Sequence, residues 1–103
     1  MHMNDVREYT FEELCQIVGA IAAEYGIERV YLFGSRARGT AGPDSDYDLC
    51  IIPGKDTSLL DMGEFLIDCR EALEHEVDVV SETSIRPALY NAIHRERRLL
   101  YEA

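Results

Sequence analysis

The sequence predicts an α/β fold in which a mixed β-sheet of about four strands carries its helices mainly on one face. Segments with the apolar spacing of amphipathic helices alternate along the chain with short runs rich in valine, leucine and isoleucine. That alternation is typical of a sheet covered by helices. The chain has 103 residues, 47% of them hydrophobic, which is enough for one core. We therefore expect a single domain over residues 1–103.

The first predicted elements are a helix over residues 10–25 and a strand over residues 28–33. Apolar residues recur in the helix at steps of three and four, and Thr10 with Glu13 has the spacing of a capping box. Gly26 ends the helix. The strand is apolar without alternation, which predicts a central place in the sheet with both faces covered.

The rest of the chain is expected to continue as short helix, strand, helix, strand, helix and strand. The strands cover residues 46–52, 75–81 and a short stretch near 99–101. Ser58 or Thr57 caps the helix between the first two of these strands, and the last helix begins near residues 84–87. The apolar positions expected to face the core are Met62, Leu66, Cys69 and Leu73 in the first of these helices and Ile85, Leu89 and Ile93 in the second.

Charge and composition exclude several classes of function. Twenty acidic residues against ten basic ones give a net charge of -10, which opposes direct binding to nucleic acid. No apolar run is long enough for a membrane span or a secretory signal, so we expect a cytoplasmic protein with no membrane partner. The three cysteines fall in apolar patterns and are expected to be reduced core residues, without a disulfide or a zinc site.

The segment that follows the first predicted strand carries the strongest chemical signal. Gly34 and Ser35 come directly after a buried strand and before a short helical piece. Their backbone amides and the Ser35 hydroxyl can face a phosphate, and glycine allows the backbone a close approach. The sequence therefore predicts a phosphate site at this bend.

Acidic residues mark the next two predicted strands. Asp46 and Asp48 are two positions apart, so both carboxylates project from the same face of a strand, away from Tyr47. Asp78 offers a third carboxylate from the following strand. Magnesium suits such oxygen ligands and completes its shell with water and substrate phosphates. A phosphate site beside a metal site indicates phosphoryl or nucleotidyl transfer.

Gly34-Ser35, ten residues and then Asp46-Tyr47-Asp48, with Asp78 later on a strand, resembles the DNA polymerase beta-like nucleotidyltransferases. The short chain looks most like their minimal (MNT) members, the antitoxins of HEPN ribonuclease toxins. From their positions alone, Asp46, Asp48 and Asp78 could together hold two magnesium ions. The resemblance implies that Asp46 and Asp48 bind magnesium, that Asp78 helps to activate the attacking hydroxyl, and that Gly34 and Ser35 hold the triphosphate of ATP. It implies transfer of AMP from ATP to a tyrosine of a partner HEPN toxin, which neutralises the toxin.

Several alternatives stay open at this point. The chain could neutralise a toxin by binding and occlusion alone, or could nucleotidylate a small molecule. Arg36 and Arg38 either neutralise phosphate charge or are solvated. Asp44 is expected to be a solvated turn residue, and His75 is expected to lie in water at a strand edge.

Overall fold

The structure is a computed structural model that describes residues 8–103. Its elements agree with the predicted order, and their bounds differ from the predicted ones by a few residues. The helices are α1 (Phe11–Glu24), α2 (Gly34–Arg38), α3 (Leu59–Leu73) and α4 (Pro87–Glu96), and the strands are β1 (Arg29–Phe33), β2 (Tyr47–Ile52), β3 (Val77–Ser81) and β4 (Arg98–Glu102).

The four strands form one mixed sheet in the order β3-β2-β1-β4. Strand β1 is antiparallel to both β2 and β4, whereas β2 and β3 are parallel and are joined through α3. Parallel neighbours need such a crossover connection. The predicted fold class and the central position of β1 are both confirmed.

Side-chain caps fix where the two long helices begin. Thr10 and Glu13 form the expected capping box at the start of α1. Ser58 and Asp61 form a second one at α3, so Ser58 is the cap of that helix. Thr57 has another role, because its hydroxyl donates to the Gly26 carbonyl and accepts from a loop amide. The turns before β1 and after β2 are thereby tied together.

The core lies between α1, α3 and one face of the sheet. Alternate residues of β2 point into it, and Tyr47 is only 1% exposed there, as expected from its position between two outward-facing acids. In α3 the fully buried residues include Phe65, whereas Met62 and Leu66 are only partly buried. The other core residues include Leu14, Val18, Ala22, Ile27, Val30, Leu32, Leu49, Ile51, Cys69, Leu73, Val77 and Leu100.

Helix α4 is held by fewer apolar contacts than its sequence pattern predicts. Ile93 is buried, but Leu89 is 46% exposed, so the expectation that it faces the core is wrong. Polar contacts hold the helix instead, because Glu82 accepts a hydrogen bond from Arg97 and pairs with His94. Despite the opposing effect of burial, these two contacts hold the pKa of Glu82 below its ordinary value.

The three cysteines are free, with Cys50 and Cys69 buried and Cys15 partly buried. This agrees with the expected reduced core residues. Within residues 8–103 no helix is long and apolar enough to cross a membrane.

Candidate active site

The face of the sheet away from the core brings the predicted acids together. Asp48 and Asp78 are direct partners across the parallel strands β2 and β3. Each lies between residues that point to the opposite face, where Tyr47, Leu49 and Val77 are buried. Asp46 precedes the first residue of β2 and is exposed. The sheet register therefore supplies a pair of neighbouring carboxylates that the sequence spacing alone does not fix.

Electrostatics link all three acids. Partial burial raises the pKa of Asp48, and the nearby charges of Asp78 and Asp46 raise it further, while Arg38 acts in the opposite direction. Like charges this close disfavour ionisation unless a cation joins them. The acidic cluster formed by Asp46, Asp48 and Asp78 is thus suited to a cationic ligand.

Gly34 lies directly against this cluster. Phe33, the last residue of β1, is the register partner of Asp48, so the chain turns into α2 beside that carboxylate. Gly34 has a φ of 74°, and a Cβ atom built on it would overlap the Asp48 carboxylate. The position needs glycine both for its left-handed backbone and for the close approach. Ser35 follows in the first turn of α2.

The three acids suit magnesium as oxygen ligands, but they do not surround an ion as the sequence predicts. Within residues 8–103 no group of three ligating side chains stands ready to enclose one ion, so the three acids do not form a closed cage by themselves. Magnesium is usually bound through one or two carboxylates, with substrate phosphates and water completing its shell. The acidic cluster beside the Gly34-Ser35 bend fits that open kind of site.

Arg36 has a role that neither sequence interpretation anticipated. Its guanidinium donates to the carbonyls of Ser45 and Pro43, at 2.8 and 3.3 Å from Nη2. It also lies 4.1 Å from the centre of the Tyr47 ring, and its side chain is only 8% exposed. Arg36 is therefore a structural tie between α2 and the loop that leads to Asp46.

Replacement of Arg36 by alanine is expected to lower the free energy of unfolding by about 1–3 kcal/mol, because the Ser45 and Pro43 carbonyls lose their donor and the Tyr47 ring loses its cation. Arg38→Ala is the matched control, since Arg38 is 47% exposed and pairs with Glu96 at 3.1 Å; its effect should stay below about 1 kcal/mol. Denaturant unfolding measures both. Equal losses would contradict the assigned role of Arg36.

Three other polar residues differ in their exposure and contacts. Arg38 interacts with Asp48 and is partly exposed, so of the two arginines it is the one available to a phosphate. Asp44 is exposed in a turn, as expected. His75 is only partly exposed, because its ring packs edge-on against Tyr47 with the ring centres 5.0 Å apart, so the expectation that it lies in water is wrong.

Comparison with known proteins agrees with this geometry. Residues 16–103 match the family model of polymerase beta nucleotidyltransferases. A candidate protein adenylyltransferase from Methanocaldococcus jannaschii is 37% identical over 76 residues, which cover 74% of this chain and 82% of that protein.

Solved structures share the fold. One described as a candidate minimal nucleotidyltransferase is 34% identical with a TM-score of 0.76, covering 88% of this chain and 96% of that one. A chain in the complex of a tri-AMPylated Shewanella oneidensis HEPN toxin with an MNT antitoxin is 17% identical with a TM-score of 0.70, covering 91% of this chain and 74% of that one. At that identity the likeness is one of fold.

Proposed function

Because the chain belongs to the polymerase beta nucleotidyltransferase family, we propose that it transfers AMP from ATP to a tyrosine of a partner HEPN-type toxin and so neutralises that toxin. The observation that carries the proposal is the pairing of Asp48 with Asp78 across β2 and β3, with Gly34 packed against the Asp48 carboxylate. The predicted phosphate-binding bend and the acidic groups are thereby adjacent.

Each residue of the site has a role in this reaction. The amides of the Gly34-Ser35 bend and the Ser35 hydroxyl bind the triphosphate. Asp46 and Asp48, with Asp78, are the residues that would hold magnesium. That ion, when bound, supplies neutralisation of the phosphate charge.

Asp78 acts as the general base. The acceptor hydroxyl loses its proton to the Asp78 carboxylate as its oxygen forms a bond to the α-phosphorus of ATP. The bond from that phosphorus to the bridging oxygen of the β-phosphate breaks, and pyrophosphate leaves with the electron pair. Asp78 is exposed at the end of the acidic cluster, so an incoming hydroxyl can reach it without displacing core residues.

Several observations support a toxin as the partner and the cytoplasm as the location. The M. jannaschii relative carries the name of a protein adenylyltransferase, and the Shewanella complex pairs an MNT antitoxin with an AMPylated toxin. A net charge of -10 favours encounter with a basic protein. We place the reaction in the cytoplasm, where ATP and magnesium are available and where cysteines such as Cys50 and Cys69 stay reduced.

The proposal is tested by incubating the chain with a HEPN-type protein from the same genome and ATP labelled in its adenylate group. With magnesium we expect label on the toxin, at a tyrosine identified by mass spectrometry, and loss of ribonuclease activity. With a chelator in excess no label should appear. Inhibition of the ribonuclease without labelled tyrosine would instead support neutralisation by occlusion. Label on a small molecule with no protein present would contradict the protein acceptor.

A further inference from the structure

An apolar groove lies beside the acidic cluster and has no part in the chemistry described so far. Its volume is about 780 Å³, and it runs between the first half of α3, strand β3 and the start of α4. Here it is called the β3 groove. Its apolar lining includes Leu59, Met62, Leu66, Val79, Ile85 and Leu89.

Large apolar side chains in the β3 groove are exposed to an unusual degree. Leu59 is 82% exposed and Leu89 is 46% exposed. Strand β3 is at the edge of the sheet, with β2 as its neighbour within the described chain. Its outer edge therefore offers backbone hydrogen-bonding groups next to apolar surface. Contiguous surface of this kind marks sites of interaction with other molecules.

The β3 groove and the proposed active site share strand β3. Val79, Val80 and Ser81 line the groove and directly follow Asp78 on β3. Val80 projects from the same face of β3 as Asp78 and lies two residues, or about 7 Å, further along the strand. A chain segment that contacts Val80 in the groove can therefore extend towards the Asp78 carboxylate.

Charge around the groove indicates the chemistry of its occupant. Helix α3, which forms one wall, contains four acids and a single base, Arg70. The groove itself has Arg86 as its charged lining residue, and the whole chain has a net charge of -10. A segment whose apolar side chains fill the groove and whose flanking residues are basic complements the acidic surroundings of the groove.

We propose that the β3 groove docks an apolar, basic-flanked segment of the acceptor protein and thereby brings the acceptor hydroxyl to Asp78. The inference rests on the proposed function, because it assigns the protein-acceptor site of the same reaction. It gives the chain a reason to prefer a protein over a small molecule: binding energy from the groove is available only to a substrate long enough to fill it.

The test compares two double variants, one that alters residues lining the groove and one that alters exposed residues outside it. Leu59→Glu, combined with Leu89→Glu, places charge in the groove, whereas Leu60→Glu combined with Leu99→Glu alters residues that are 72% and 43% exposed but do not line it. All four positions are exposed, so the folds should persist, which circular dichroism checks. We expect the groove variant to raise the Kd for the HEPN-type protein about 100-fold, and the KM for that acceptor similarly, with affinity for a non-hydrolysable ATP analogue unchanged. The Leu60/Leu99 variant should match the wild type.

Other outcomes separate this inference from the proposed function. If the wild type labels the toxin and the groove variant does so equally well, the groove is not the acceptor site and the proposed reaction stands. If the wild type binds the toxin through the groove without labelling it, docking is supported and AMP transfer fails. If the groove variant only converts a dimer of this chain to a monomer, the groove joins two copies and the inference is wrong.

Discussion

Replacing Asp46 and Asp48 together by asparagine is expected to abolish AMP transfer, with a loss of at least about a thousandfold in kcat/KM, while the fold stays intact. The variant keeps the size of both side chains but removes the charges that would hold magnesium against the triphosphate. Such electrostatic stabilisation is often the largest contribution to catalysis. Transfer of label from ATP to the toxin measures it.

The same substitution is expected to leave stability unchanged or slightly higher, although it abolishes activity. Burial and the neighbouring acids raise the pKa of Asp48, so its ionised form costs folding energy above the ordinary pKa, and that cost grows as the pH rises towards the folded-state value. Removing the charge should leave the melting temperature equal or slightly higher at pH 7. Asp44→Asn is the control, because Asp44 is an exposed acid of the same loop and should keep full activity. A large fall in melting temperature of the Asp46/Asp48 variant would contradict this account.

Gly34→Ala is expected to reduce activity about a hundredfold or more and to destabilise the chain. Gly34 has a φ of 74°, and its added methyl group would overlap the Asp48 carboxylate. Either the bend or the acid must move, and a displacement of about 1 Å in a catalytic group costs about this much in rate. Steady-state transfer kinetics together with thermal unfolding measure the two effects.

Gly39→Ala distinguishes the effect of left-handed backbone strain from the effect of overlap with the Asp48 carboxylate. Gly39 has a φ of 78°, close to that of Gly34, but its Cβ position has open space around it. Both variants should lose about 1 kcal/mol of stability from the left-handed backbone, and the loss of activity should be confined to Gly34→Ala. If Gly39→Ala lost activity to the same extent, close packing against Asp48 would not be the cause.

The parts of the site that were predictable from sequence depend on local spacing. Asp46 and Asp48 lie two residues apart, and the alternation of a strand places them on one side. The Gly34-Ser35 bend follows a strand whose apolar run is easily recognised. Asp78 lies in a weaker strand pattern, and its direct pairing with Asp48 depends on how β2 and β3 align, which no single segment specifies.

What escaped prediction depends on contacts between distant segments. The tie from Arg36 to the Ser45 carbonyl, and the packing of His75 on Tyr47, join parts of the chain whose patterns are unremarkable in isolation. Leu89 has the periodicity of a core residue but remains exposed, since α4 is anchored through Glu82 and its partners. Periodicity reports which face of a helix is apolar, and it does not report what covers that face.

The contacts of Arg36 constrain the length of the loop between the bend and the acids. The guanidinium donates to the carbonyls of Pro43 and Ser45, just before Asp46, so both ends of the ten-residue stretch between Ser35 and Asp46 are held in place. We expect that inserting or deleting one residue in that stretch changes which carbonyls accept from Arg36 and reorients the carboxylate of Asp46. Substitutions within the loop should therefore be tolerated more readily than a change in its length.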